Sequence, residues 1–156
     1  MIQWKKLIFC IALPLAVGGL SAFLTQDSRS VFETLNRPFL SPPAWVFPVV
    51  WTLLYILMGT ASYLVLVSGD PEGQIREALS VYGVQLAVNF FWSIIFFQQT
   101  MYLTAFFWLL LLLFLVVLTA VLFYGISKAA AYLLLPYTVW VAFAGYLNLS
   151  IWVLNR

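Results

Sequence analysis

The sequence predicts an all-α integral membrane protein, a single bundle of five transmembrane helices spanning residues 1–156, and three observations carry that prediction. Of its 156 residues, 65% are hydrophobic and only 8% charged, against about 45–50% and about 25% in an average soluble domain. A soluble fold of this length leaves a large share of its chain exposed, so a mean hydropathy of +1.05 calls for lipid as the covering solvent. The apolar residues also fall into five runs, each close to the roughly 20 residues that cross a bilayer.

The runs follow in order. The first is Leu7–Thr25, behind Lys5 and Lys6. A positive start and Gly19-Leu20-Ser21 imitate a signal peptide, but the run exceeds the usual signal core of about 7–15 residues, so a retained helix is expected. The second span is Trp45–Ser68, the third Leu79–Phe97, the fourth Tyr102–Tyr124 and the fifth Ala129–Val153. Asp70-Pro71-Glu72-Gly73 is a turn with helix-stop chemistry. Gln98-Gln99-Thr100 and Gly125-Ile126-Ser127-Lys128 are tight connections that make spans three, four and five antiparallel neighbours. The segment 26–44 is the only long connection. Its Pro38, Pro42 and Pro43 restrict the backbone, so it is expected to be stiff, and connections of this length are often functional lids. Four basic residues on one side of the membrane (Lys5, Lys6, Arg76, Lys128) face three on the other (Arg29, Arg37, Arg156), which leaves the orientation open.

Three helices carry polar and aromatic stripes. At about 100° per residue, Gln85, Asn89, Trp92 and Phe96 share one line of span three, and Gly83, Ala87, Phe90 and Ile94 lie opposite. Amides are costly in hydrocarbon and face protein or a cavity. The Gly83/Ala87 face permits close approach of another backbone and so offers a homodimer contact. Span two presents Trp51, Tyr55, Met58, Gly59 and Ser62; span five presents Tyr137, Trp140, Ala144 and Asn148. Interfacial aromatic belts and interhelical amide bonds explain many such residues. Trp51, Trp92 and Trp140, however, sit inside their spans. Convergent stripes would form an aromatic pocket for a flat, largely apolar ligand.

Composition excludes several functions. Seven Lys/Arg against five Asp/Glu make no nucleic-acid surface. The single cysteine, Cys10, permits no internal disulfide, and the absence of histidine removes the usual general base and proximal haem ligand.

Beyond pattern, the residues resemble a known family. Pro38-x-x-Ser41-Pro42-Pro43-x-Trp45-x-Phe47 followed by Trp51-x-x-x-Tyr55-x-x-Met58-Gly59 resembles the signature of the tryptophan-rich sensory protein/translocator protein (TspO, peripheral benzodiazepine receptor) family. The runs Tyr82–Phe97 and Leu135–Asn148 are similar to that family's third and fifth helices. The resemblance implies a five-helix bundle, often dimeric, with a pocket open toward the first long connection and porphyrins among its ligands. It implies that Trp51 and Trp140 match two pocket tryptophans associated with light-dependent protoporphyrin breakdown. Asn89, Trp92, Ala144, Leu147 and Asn148 match other lining positions, and Pro42, Pro43 and Trp45 the entry from connection to helix. Where many members carry an Asp in helix four, this chain has Trp108. Tyr146 is too far from Arg156 for the sterol motif, so cholesterol recognition is not expected. Ser93 and Ile94 replace prolines of some members, which argues for a straighter third helix.

The expected function is therefore a membrane porphyrin-binding sensor or scavenger, in the cell membrane if the source is bacterial. No cofactor is required; protoporphyrin IX or a related tetrapyrrole enters as ligand, metal-free because histidine is missing, with Arg29 or Arg37 available to its propionates. The ligand-binding set is Pro42, Pro43, Trp45, Trp51, Tyr55, Gln85, Asn89, Trp92, Phe96, Tyr137, Trp140, Ala144, Leu147 and Asn148, with membrane lipid as the surrounding partner. The alternatives are photo-oxidative degradation of protoporphyrin at Trp51 and Trp140, in which the pigment supplies the chemistry, or transport, against which no charge pair or inverted repeat speaks for coupling.

Overall fold

The computed structural model describes residues 2–156, the side chains of residues 29, 31 and 32 excepted. Five helices are long and apolar enough to cross a membrane: Trp4–Leu24, Val46–Leu66, Glu72–Gln98, Tyr102–Ile126 and Lys128–Leu154. We label the elements α1 (Trp4–Leu24), α2 (Arg29–Thr34), α3 (Val46–Leu66), α4 (Glu72–Ser93), α5 (Tyr102–Ile126), α6 (Lys128–Leu133) and α7 (Leu135–Leu154). Around the bundle, α1 lies between α3 and α4, α4 packs on α5, α5 on α7, and α6 closes against α3 and α5. The short connections thus join antiparallel neighbours, as expected.

Four boundaries differ from the sequence reading, each for a local reason. The third span begins at Glu72, not Leu79. Gly69 takes φ +83, a left-handed conformation that suits glycine, and Pro71 directly precedes the first helical residue. From there Glu72, Arg76 and Glu77 are good helix formers, so the helix runs on beyond the apolar stretch. The far end of this span is not straight α-helix: Ile94–Gln98 is a π-helical turn, closed by the Gln99 N–H donating to the Ile94 carbonyl at 3.1 Å. The fifth span is broken at Leu134 into α6 and α7. Pro136 has no N–H to give the preceding turn, while Ser127 caps α6 by accepting from the Ala130 N–H at 3.3 Å. Finally, the long connection is partly helical, with a 3₁₀ turn at Gln26–Ser28 leading into α2.

The remainder of that connection is fastened rather than loose. The Asn36 N–H donates to Asn155 Oδ1 at 2.9 Å, and Asn155 Nδ2 donates back to the Asn36 carbonyl at 2.9 Å. Turns close at Ser41 onto the Pro38 carbonyl and at Val46 onto the Pro43 carbonyl, both at 3.0 Å.

The core lies between α3, α4, α5, α6 and α7, around Met58, Leu109, Leu112, Val116, Phe123 and Tyr137. Trp108 donates its Nε1–H to the Val88 carbonyl at 2.7 Å and so ties α5 to α4. At the opposite side of α3, Gly59 brings two backbones together: a Cβ there would stand 2.5 Å from Ile11 Cα and 2.6 Å from the Cys10 carbonyl oxygen. Small residues are the usual means of such approach in lipid, where helices associate by packing.

Candidate ligand-binding site

At the end of the bundle that carries the long connection, α1, α3, α4 and α7 enclose a cavity of about 470 Å³, within the range of small-molecule sites, about 300–1,000 Å³. Two aromatic groups line it. On α3, Trp51 stacks on Tyr55 with ring centroids 5.5 Å apart and planes 28° apart. At the end of α4, Trp92 leans on Phe96 of the π turn at 5.4 Å and meets the edge of Phe97 at 6.2 Å. The π turn contributes here: with more than 3.6 residues per turn, the consecutive Phe96 and Phe97 both reach the cavity. Such bulges are frequent at functional sites.

The polar groups of this wall are held. Trp92 Nε1–H donates to Asn148 Oδ1 at 3.2 Å, and Asn148 Nδ2 donates to the Tyr102 carbonyl at 2.7 Å, linking α4, α7 and the start of α5. Deeper, beyond the cavity floor, Tyr137 O–H donates to Gln85 Oε1 at 2.7 Å and accepts from Asn89 Nδ2 at 3.0 Å. Gln85 and Asn89 are 1% and 2% exposed, so the amides placed on an inward stripe by their spacing do face protein. Tyr137→Phe removes both bonds and leaves Gln85 short of a donor. We expect a loss of about 1–2 kcal/mol, read from unfolding in mixed micelles; an unchanged midpoint would mean that the trio contributes no net stability.

The structure gathers half of the expected residues at the cavity. Trp51, Tyr55, Trp92, Phe96, Ala144, Leu147 and Asn148 line it. Gln85, Asn89 and Tyr137 lie behind it in the buried trio. Trp140 is not on the wall; it meets Phe47 edge-on at 5.9 Å and Phe143 at 5.7 Å, and its indole N–H is buried without a hydrogen-bond partner. Pro42, Pro43 and Trp45 stand outside, Trp45 being 68% exposed, and Ala44, Phe47 and Pro48 take the entry positions. The side chain of Arg29 lies outside the described residues. Arg37 lines a separate outer groove beside Phe39 and Tyr146, not the cavity, and Glu33 sits at the cavity rim.

The contribution of α1 was missed. Leu15, Gly18, Gly19, Ser21 and Ala22, with Thr25 just past the helix end, line the cavity. Gly18 is required there, since a Cβ would run into the Tyr55 ring. The signal was available in the cluster Gly18-Gly19-x-Ser21-Ala22, whose small residues make room beside an aromatic helix.

An all-helical, multi-pass membrane protein with a cavity at one end of the bundle is thus the class that fold and site define. The chain belongs to the TspO/MBR family, whose family model matches residues 10–153. It is 41% identical over 154 residues to a tryptophan-rich protein TspO of Chlorobaculum tepidum, covering 98% of each chain. It is 36% identical over 153 residues to a tryptophan-rich sensory protein of Cereibacter sphaeroides, covering 98% of this chain and 93% of the relative. It is also similar to the translocator protein of Bos taurus, at 34% identity over 157 residues and the same level of coverage, 98% and 92%.

Proposed function

We propose that this protein is a membrane porphyrin-binding sensor or scavenger, and the observation that carries the reading is the two aromatic pairs, Trp51–Tyr55 and Trp92–Phe96, that line one cavity of about 470 Å³. A flat conjugated macrocycle matches such a lining, gaining stacking on the indoles and burial of its apolar faces. Asn148 and Ser93 add a few polar groups to a mostly apolar lining, the composition typical of sites that orient an apolar ligand. Glu33 at the rim repels carboxylates, so the propionates point past it toward water and headgroups rather than into an ion pair. Family membership, with a relative named as a sensory protein, supports the same reading.

The protein in phospholipid vesicles should show saturable quenching of tryptophan fluorescence by protoporphyrin IX, beyond that of a soluble tryptophan in the same vesicles. Quenching that rises linearly with no saturation would sink the reading. An absorbance time course of the bound pigment, in light and in darkness, then sorts holding from breakdown: loss confined to the light assigns a pigment-degrading activity.

A homodimer through the Gly83/Ala87 face belongs to the same proposal. Both residues are exposed on α4, and no atom lies within 4 Å of a Cβ built at Gly83, so a second copy has room to approach. Gly83→Leu should convert a dimer to a monomer in light scattering of the detergent-solubilised protein; an unchanged mass excludes this face.

A further inference from the structure

We infer that apolar ligands reach the cavity sideways from the bilayer, through a gap between α1 and α3; the inference rests on the reading of the cavity as a ligand site. Every cavity-lining residue on α4 and α7 is buried or half-buried. On the membrane-spanning helices, the lining residues that are also exposed are Gly19 of α1 and Pro48 and Thr52 of α3; at the connection end, Glu33 and Ala44 are exposed lining residues as well.

Their position along the helices explains why. Pro48, Thr52, Tyr55 and Gly59 follow one another at three- and four-residue steps, so they form one face of α3. At Gly59 that face is sealed against the backbone of Cys10 and Ile11, and at Tyr55 against Gly18. Beyond Tyr55 the same face stays uncovered, since Thr52 and Pro48 are exposed. The two helices are therefore in contact below the Gly18–Tyr55 crossing and apart above it. On α1 the opposing edge is glycine, with no atom within 4 Å of a Cβ built at Gly19.

The lip is chemically suited to lipid. Thr52 Oγ1 donates to the Pro48 carbonyl of its own helix at 2.8 Å, so its hydroxyl proton is already engaged. Thr52 also lies about 9 Å along the axis from the first residue of α3, at a rise of about 1.5 Å per residue. That places the gap at acyl-chain depth in a hydrocarbon layer about 30 Å thick. A porphyrin dissolved in the bilayer meets the opening without crossing the headgroups or displacing the connection, which Asn155 fastens at Asn36.

The test is kinetic. Protoporphyrin IX is delivered from donor vesicles to the reconstituted protein, and tryptophan quenching is followed after rapid mixing. Gly19→Phe and Thr52→Phe each place a ring in the gap, at a site with open space and at an exposed site respectively, so both variants are expected to fold. Association and dissociation should each slow by about tenfold or more, with their ratio moving far less than either rate. Rates equal to those of the parent protein overturn the gap. A variant whose affinity falls through faster dissociation alone overturns it too, because the side chain is then a binding contact. If the parent protein shows no saturable quenching, the porphyrin reading fails instead. The gap is then read with a nitroxide-labelled stearic acid dissolved in the bilayer. Its quenching of Trp51, taken as the difference from Trp51→Phe, must fall in Gly19→Phe, and equal quenching overturns the gap.

Discussion

Trp51→Ala is expected to weaken protoporphyrin binding about 30-fold or more, equivalent to about 2 kcal/mol or above. Trp51 is the residue on which three contacts meet: it stacks on Tyr55, touches the edge of Tyr137 at 6.1 Å and forms part of the cavity wall. Truncation removes the flat surface offered to the ligand and frees Tyr55 from its stacking partner, so preorganisation falls together with contact area. Trp140→Phe is the informative contrast. Trp140 stands behind Phe47 and its indole N–H has no partner, so its replacement by phenylalanine removes an unsatisfied donor and no wall. Affinity should change by far less than in Trp51→Ala. Equal losses in the two variants, measured by fluorescence titration, would return Trp140 to the site and require the wall to rearrange on binding.

The second large effect concerns assembly of the bundle. Gly59→Ala should destabilise the protein by about 3 kcal/mol, at the upper end of overpacking costs. The added methyl meets backbone atoms of Cys10 and Ile11, not the end of a movable side chain, so relief requires α1 to move as a body. Gly125→Ala is the control, because a Cβ there meets nothing within 4 Å and alanine is the better helix former. Unfolding in mixed micelles should separate the two by several kcal/mol; a Gly59→Ala protein within about 0.5 kcal/mol of the parent shows that α1 does not depend on this contact.

How much of this was legible in the sequence follows from what each signal measures. Apolar run length is a property of single segments, so the five spans were readable. So was the inward direction of Gln85 and Asn89, because an amide in hydrocarbon has few places to go. Helix ends set by capping, and not by hydropathy, were less so: Glu72 and the break before Pro136 lie where local backbone chemistry outweighs the apolar pattern. The π turn at Ile94–Gln98 has no composition signal at all, and the absence of prolines there did not reveal it. Within the site, aromatic stripes identified residues able to line a cavity but not their distance from it. Trp51 and Trp140 look equivalent as letters, and only packing around Phe47 separates them. The α1 wall was missed because glycine and alanine contribute space, which a search for chemical groups overlooks.

The paired hydrogen bonds between Asn36 and Asn155 have a consequence for how the roof of the cavity fluctuates. A chain segment pinned at one interior point behaves as two shorter loops, and each halving of length recovers about 0.6 kcal/mol of closure entropy. The half before the pin, with its helical turns, moves with the end of α7. The proline-bearing half after it is held locally, by the turns onto the Pro38 and Pro43 carbonyls. The pin therefore divides the roof into two short segments, one tied to the end of α7 and the other leading into the first turn of α3.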